Sequence, residues 1–172
     1  MNKIRNFKED LEMSESEELD SLMNYFYLKK IKNIIKIKKV NYNKYPNLQK
    51  QGVDKIALLK NGNKLLIEEK FRFNSYNDIF IETHSSENTQ GWINKKTKTD
   101  ILVYYIIPEE KVYVFDYRLL KRKFEKWNRE WLVRYGYTYS NNKGYTSKGI
   151  CIPVEILKNH LKNKMKVYTL KK

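Results

Sequence analysis

Asp54, Glu68 and Lys70 are the residues of this chain whose types and spacing suit joint chemistry. Gly52-Val53-Asp54 leads into an apolar run, Asn61-Gly62 turns the chain back, and Ile67-Glu68-Glu69-Lys70 lies on the return run. Two carboxylates and an amine at one point are the minimum kit for metal-assisted cleavage of a phosphodiester. Mg²⁺ is held by one or two carboxylates, with carbonyl, water and substrate phosphate completing its shell, and Asp54 with Glu68 meets that need.

Bringing these groups together requires a hairpin. The runs 54–60 and 64–70 flank Asn61-Gly62, residues that tolerate the positive φ of a tight turn. Side chains alternate along a strand, so Glu68 and Lys70 share a face and Glu69 points to the other. The returning hairpin then places Asp54 beside that pair. A surface ion pair is the plain alternative for Glu68 and Lys70, and such pairs stabilise little. Glu109-Glu110-Lys111 repeats the acid-x-Lys pattern as a control: it follows Pro108 in a predicted turn with no Gly-x-Asp before it, and reads as solvated turn chemistry.

The other elements follow from periodicity. Ser14 and Glu17 have capping-box spacing, and Leu19, Leu22, Met23, Phe26 and Tyr27 fall on one face of a helix running to about Lys30. Strands are predicted over 34–40, 78–84, 101–107, 111–117 and 149–153, with loops over 42–51 and 85–98, the latter allowing a short helix. Leu120, Phe124, Trp127 and Trp131 mark a helix over 118–135, and 154–162 reads as a short helix. One domain spanning 1–172 is expected: α/β, a central mixed β-sheet flanked by helices.

With 41% hydrophobic residues in 172, the chain can build one sizeable core and hardly two. Lys and Arg number 35 against 20 acids, a net charge of +15 that suits a polyanionic partner such as nucleic acid better than acidic metabolites; a Lys-rich composition is the bland alternative. The charge is uneven: 25–60, 118–135 and 156–172 are strongly basic, whereas 61–117 is net negative. An acidic patch inside a basic molecule fits a metal site set in a phosphate-binding surface. Cys151 is the only cysteine, which excludes an intrachain disulfide and a thiolate cluster. No run reaches the length of a membrane span and the first residues lack a signal-peptide core, so a cytoplasmic setting, bacterial or phage-infected, without membrane contact is expected.

Residues 49–54, the hairpin with Ile67-Glu68-Glu69-Lys70, Asp78-Ile79-Phe80-Ile81-Glu82, Gly91-Trp92-Ile93 and Lys98-Thr99-Asp100 before an apolar strand resemble, in order and spacing, the PD-(D/E)xK nuclease superfamily, notably its phage-type members. The resemblance covers about residues 14–117, and Val53 stands where the family's name has Pro. It implies a restriction-endonuclease-like fold and a Mg²⁺-dependent endodeoxyribonuclease, with Mn²⁺ as a substitute. It further implies Asp54 and Glu68 as metal ligands, the Glu69 carbonyl as a backbone ligand, and Lys70 orienting or activating the attacking water. Many members add an acid from the first helix, a place for Glu17 or Glu18, against ordinary helix N-terminal charge.

Glu82 shares a strand face with His84 and is either a further ligand or an edge charge; Gln51 is a candidate for the site or the nucleic acid. Lys50, Lys95, Lys96 and Lys98 are candidates for phosphate contact, with Trp92 stacking on a base or tucked into the core. The Lys-rich tail reads as an electrostatic contact or a frayed end. Cutting both strands of a duplex invites a homodimer. Two alternatives stay open: a nucleic-acid binder with the same fold but no cleavage, and a phage anti-defence interaction protein.

Overall fold

The computed structural model describes residues 16–142 and 145–170. Helix α1 (Glu17–Lys30) begins where the Ser16 side chain accepts the Leu19 amide at 3.2 Å. Ser14, the expected cap, lies outside the described residues. Strand β1 (Ile34–Lys39) leads through a loop into the short helix α2 (Pro46–Lys50), a segment predicted as loop alone. Pro46 starts that turn, where its missing amide costs nothing. Strands β2 (Lys55–Leu59) and β3 (Lys64–Arg72) form the expected hairpin, with Gly62 at φ +82 in its turn.

Strand β4 (Asp78–Ser86) and the two-residue β5 (Thr89–Gln90) precede β6 (Ile101–Ile106) and β7 (Lys111–Asp116). Helix α3 (Tyr117–Tyr135) is capped by the Asp116 carboxylate, which accepts the Leu119 amide at 3.0 Å. After it come β8 (Thr138–Asn142), β9 (Tyr145–Pro153), α4 (Val154–Leu161) and β10 (Met165–Thr169).

The sequence predicts one mixed sheet; the structure holds two. Strands in the order β1-β2-β3-β6-β7-β10 form a mixed sheet whose β3–β6 pair is parallel, and β5-β4-β9-β8 form an antiparallel one. Within the described residues the Lys-rich tail does not fray, since Met165 to Thr169 pair with β7 and form that edge of the sheet.

Two cores lie on opposite faces of the six-stranded sheet. On one face Met23, Phe26 and Tyr27 of α1 pack on Ala57, Ile67, Val103, Tyr105, Val112 and Val114. On the other, Leu102, Tyr104, Ile106, Tyr113 and Phe115 pack against Ile79, Ile81, Ile150 and Ile152 of the second sheet and against Leu120, Phe124 and Trp131 of α3. Strand β6 is apolar throughout because both its faces are covered. The second cover meets β6 and β7 but leaves out β1 and β2, none of whose residues joins that cluster. Glu68 and Lys70 lie opposite Leu102 and Tyr104 in the β3–β6 register, so they stand at the margin between covered and bare sheet.

Candidate active site

Asp54 is fixed by its backbone before its side chain acts. Its carbonyl accepts the Val40 amide at 2.9 Å and its amide donates to the Ile67 carbonyl at 2.8 Å, tying it to both flanking strands. The β2–β3 ladder ends at Ile67, and the Asp54 carboxylate continues it. One oxygen accepts the Glu69 amide at 2.7 Å and the other accepts the Tyr42 hydroxyl. The amide and carbonyl of one strand residue face the same edge, so the Glu69 carbonyl also faces the Asp54 side.

Glu68 is 3% exposed, and its Oε1 lies 2.9 Å from Lys70 Nζ. Its other oxygen rests over Gly52, where a Cβ would sit 2.8 Å from it. Gly52 also has φ +69, which side-chain-bearing residues rarely adopt. Thr97 and Thr99 hold this loop: the Thr97 hydroxyl donates to the Gln51 carbonyl, and that of Thr99 to the Gly52 carbonyl at 3.3 Å. The buried Tyr117 hydroxyl lies against Glu68 and donates to the Trp92 carbonyl.

The second sheet contributes Glu82. Gly91 packs so tightly on it that a Cβ would come within 2.3 Å of the Glu82 carbonyl oxygen. The next residue, Trp92, donates its amide to the Glu82 carboxylate, and Lys95 in the same turn places its charge near Glu82 and Glu68.

Electrostatics follow from this crowding. Burial pushes the Glu68 carboxyl above the usual carboxylate range; Lys70 opposes the rise and Asp54 adds to it. Glu82 is raised for the same first reason, against the pull of Lys70 and Lys95. Burial alone would lower Lys70, but the carboxylates of Glu68 and Asp54 outweigh it and hold the ammonium protonated well past neutrality. Burial and the Asp54 charge likewise keep the Tyr42 phenol protonated. These interactions define a cluster of Asp54, Glu68, Lys70 and Glu82 with Lys95 at its rim.

The Glu69 carboxylate does not join it. It points to the α1 face, as strand alternation requires, where it accepts the Tyr27 hydroxyl at 2.7 Å and lies 3.4 Å from Lys55 Nζ. Lys55, 1% exposed, also reaches Asp20 at 3.0 Å and Asn24 at 2.9 Å. Glu17 and Glu18 stand apart from the cluster: they are exposed in the first turn of α1, which packs on the face opposite Glu68 and Lys70. The acid of α1 that approaches the sheet is Asp20. Its spacing to Asn24, whose amide donates to it at 2.8 Å, is the i, i+4 signal in the sequence.

Among the other candidates, Trp92 is 4% exposed and belongs to the core. Lys50, Lys96 and Lys98 are exposed and stand outside the cluster. His84 follows a bulge in β4 and meets the Thr83 hydroxyl at 3.1 Å. Glu109 and Lys111 form the expected turn pair, at 2.9 Å. Tyr42 was hidden in a polar loop, and Tyr117 read as the end of a strand, so neither carried a sequence signal toward the site.

Among the described residues no group of three or more His, Cys, Asp or Glu side chains is arranged to hold a metal ion. The donors that do converge suit a hard cation bound partly through water: the Asp54 and Glu68 carboxylates and the Glu69 carbonyl. One residue before Gly52, the Gln51 amide oxygen is buried with no hydrogen-bond partner among the described residues, an acceptor that calls for one. No protein-family model and no curated protein matches the chain.

Proposed function

We propose that this protein is a metal-dependent endonuclease of the PD-(D/E)xK type that hydrolyses phosphodiester bonds in DNA, acting in the cytoplasm of a bacterial or phage-infected cell. The observation that carries this reading is the meeting of Asp54, Glu68 and Lys70 at the margin of a bare sheet face, with Glu68 desolvated by burial. Asp54 and Glu68, with the Glu69 carbonyl, would hold Mg²⁺ or Mn²⁺, which supplies Lewis-acid charge against phosphate oxygens.

The chain's own groups do the rest. Lys70 is protonated and therefore donates: it orients the attacking water or a phosphate oxygen and stabilises negative charge that grows there, and it is not the proton acceptor. Tyr42 and the Glu69 amide lock the Asp54 carboxylate in one orientation, and the Thr97 and Thr99 hydroxyls hold the loop under Glu68. Glu82, raised by burial, faces Lys70 from the second sheet and balances its charge.

A second reading, a binder that keeps this arrangement without cutting, is favoured by the existing Glu68–Lys70 ion pair at 2.9 Å, which already satisfies both groups. The two separate in a cleavage panel of duplex, branched and single-stranded DNA and of RNA, with Mg²⁺, Mn²⁺ or EDTA. Cleavage of DNA with either metal and none in EDTA is the expected result. Binding without cleavage under every condition would establish the second reading, and cleavage that persists in EDTA would remove the metal from the first.

A further inference from the structure

The bare half of the sheet is itself built for a ligand. Cross-strand partners share a face, and the register sets Lys36 opposite Leu58 and Leu58 opposite Lys64, a row reading lysine, leucine, lysine. The next row sets Lys38 opposite Ile56. A groove of about 440 Å³ lies over these rows, closed at one end by the loop after β1 with Tyr45 and Leu48. None of its lining residues is acidic, and Tyr45 is 44% exposed. Strand alternation puts Lys64 on the same face of β3 as Glu68 and Lys70, roughly 13 Å up the strand from Glu68.

From this we infer that the groove binds single-stranded DNA and delivers it to the cluster at Glu68, so that the substrate is a single strand or the unpaired flank of a branched duplex. The inference rests on the nuclease reading for what happens at the site, but not for the binding itself. Its chemistry is that of an apolar floor between cationic walls. A duplex keeps its base faces stacked inside and turns its sugar-phosphate backbone outward, and phosphates pressed on Ile56, Leu58 and Leu48 would lose water for nothing in return. A single strand can turn its bases onto that floor and onto the Tyr45 ring while Lys36, Lys38 and Lys64 take the phosphates. An acidic peptide or an anionic lipid surface would use the lysines and leave the Tyr45 ring without a stacking partner.

The test is fluorescence anisotropy in EDTA, where no strand is cut, with an oligothymidylate, a duplex of equal length, polyglutamate and phosphatidylserine vesicles as ligands. The single strand is expected to bind at least about ten-fold more tightly than the duplex, the peptide or the vesicles. Tyr45→Ala is expected to weaken it about ten-fold, and Lys36→Glu with Lys64→Glu to flatten its salt dependence. In the wild-type protein a 5-iodouracil oligonucleotide should cross-link at Tyr45, a readout that needs no variant to fold. Equal or tighter binding of any other ligand, no binding of the single strand, or cross-links confined to other segments would overturn the inference. Single-strand binding with no metal-dependent cleavage sinks the nuclease reading and leaves the groove; cleavage with no preference for the single strand does the reverse.

Discussion

At the scale of single residues, the site depends on the absence of a side chain as much as on the presence of others. Gly52 gives Glu68 its place, through both its φ of +69 and the 2.8 Å that a Cβ would leave. Gly52→Ala should shift the Glu68 carboxylate, lower metal-dependent cleavage, and destabilise the fold by about 1–3 kcal/mol in urea titrations. Glu82 offers a test of the charge balance. Its folded pKa is raised above the ordinary 4.5, so the folded protein keeps a proton that the unfolded chain releases. Its stabilising contribution is complete below that ordinary value and is lost as pH rises through the folded one. Glu82→Gln should therefore gain stability relative to wild type as pH rises from 4 to 7, seen as a growing gap between urea midpoints. A gap that shrinks with pH would contradict the burial of that charge. Parity showed Glu68 and Lys70 in the sequence, and the Asn-Gly turn showed Asp54 beside them. The partners of Asp54 were not legible: Tyr42 comes from a loop whose path is set by tertiary contacts.

At the scale of elements, α1 is joined to the sheet by a buried polar knot. Lys55 ties Asp20 and Asn24 of the helix to Glu69 of β3, and the Glu69 amide is one of the two groups that hold the Asp54 carboxylate. Lys55→Met keeps the volume but leaves Glu69 without its cation, and should cost about 3–5 kcal/mol in denaturant unfolding. An unchanged midpoint would mean that the knot adds nothing to stability. The strands with strong period or continuous apolar character, β2, β3, β6 and β7, were readable, as was the aromatic stripe of α3. The hairpin of β8 and β9 was only half readable, because Thr138 to Asn142 is polar and its strand character comes from pairing. Strand β10 was disguised by the lysines around it, and its own Lys166 is exposed on an edge strand, where charge discourages pairing with other chains.

At the scale of the whole molecule, the two cores and the bare face divide the labour. One face of the six-stranded sheet is sealed by α1, the other is sealed over β6 and β7 by the second sheet and α3, and the remaining half carries lysines. The net charge of +15 was visible at once, but the gathering of Lys36, Lys38 and Lys64 on one open face depends on a register that composition does not encode. The second sheet was the largest surprise, and it supplies Glu82 and covers one side of the cluster. In the proposed reaction Lys70, held protonated between carboxylates, stabilises charge during hydrolysis. The direct measurement is the single-turnover cleavage rate of Lys70→Met beside wild type, on the same DNA with Mg²⁺ and with binding matched. A loss of about 10²–10³-fold is predicted, the usual effect of removing one donor to a developing anion; cleavage at the wild-type rate would contradict it.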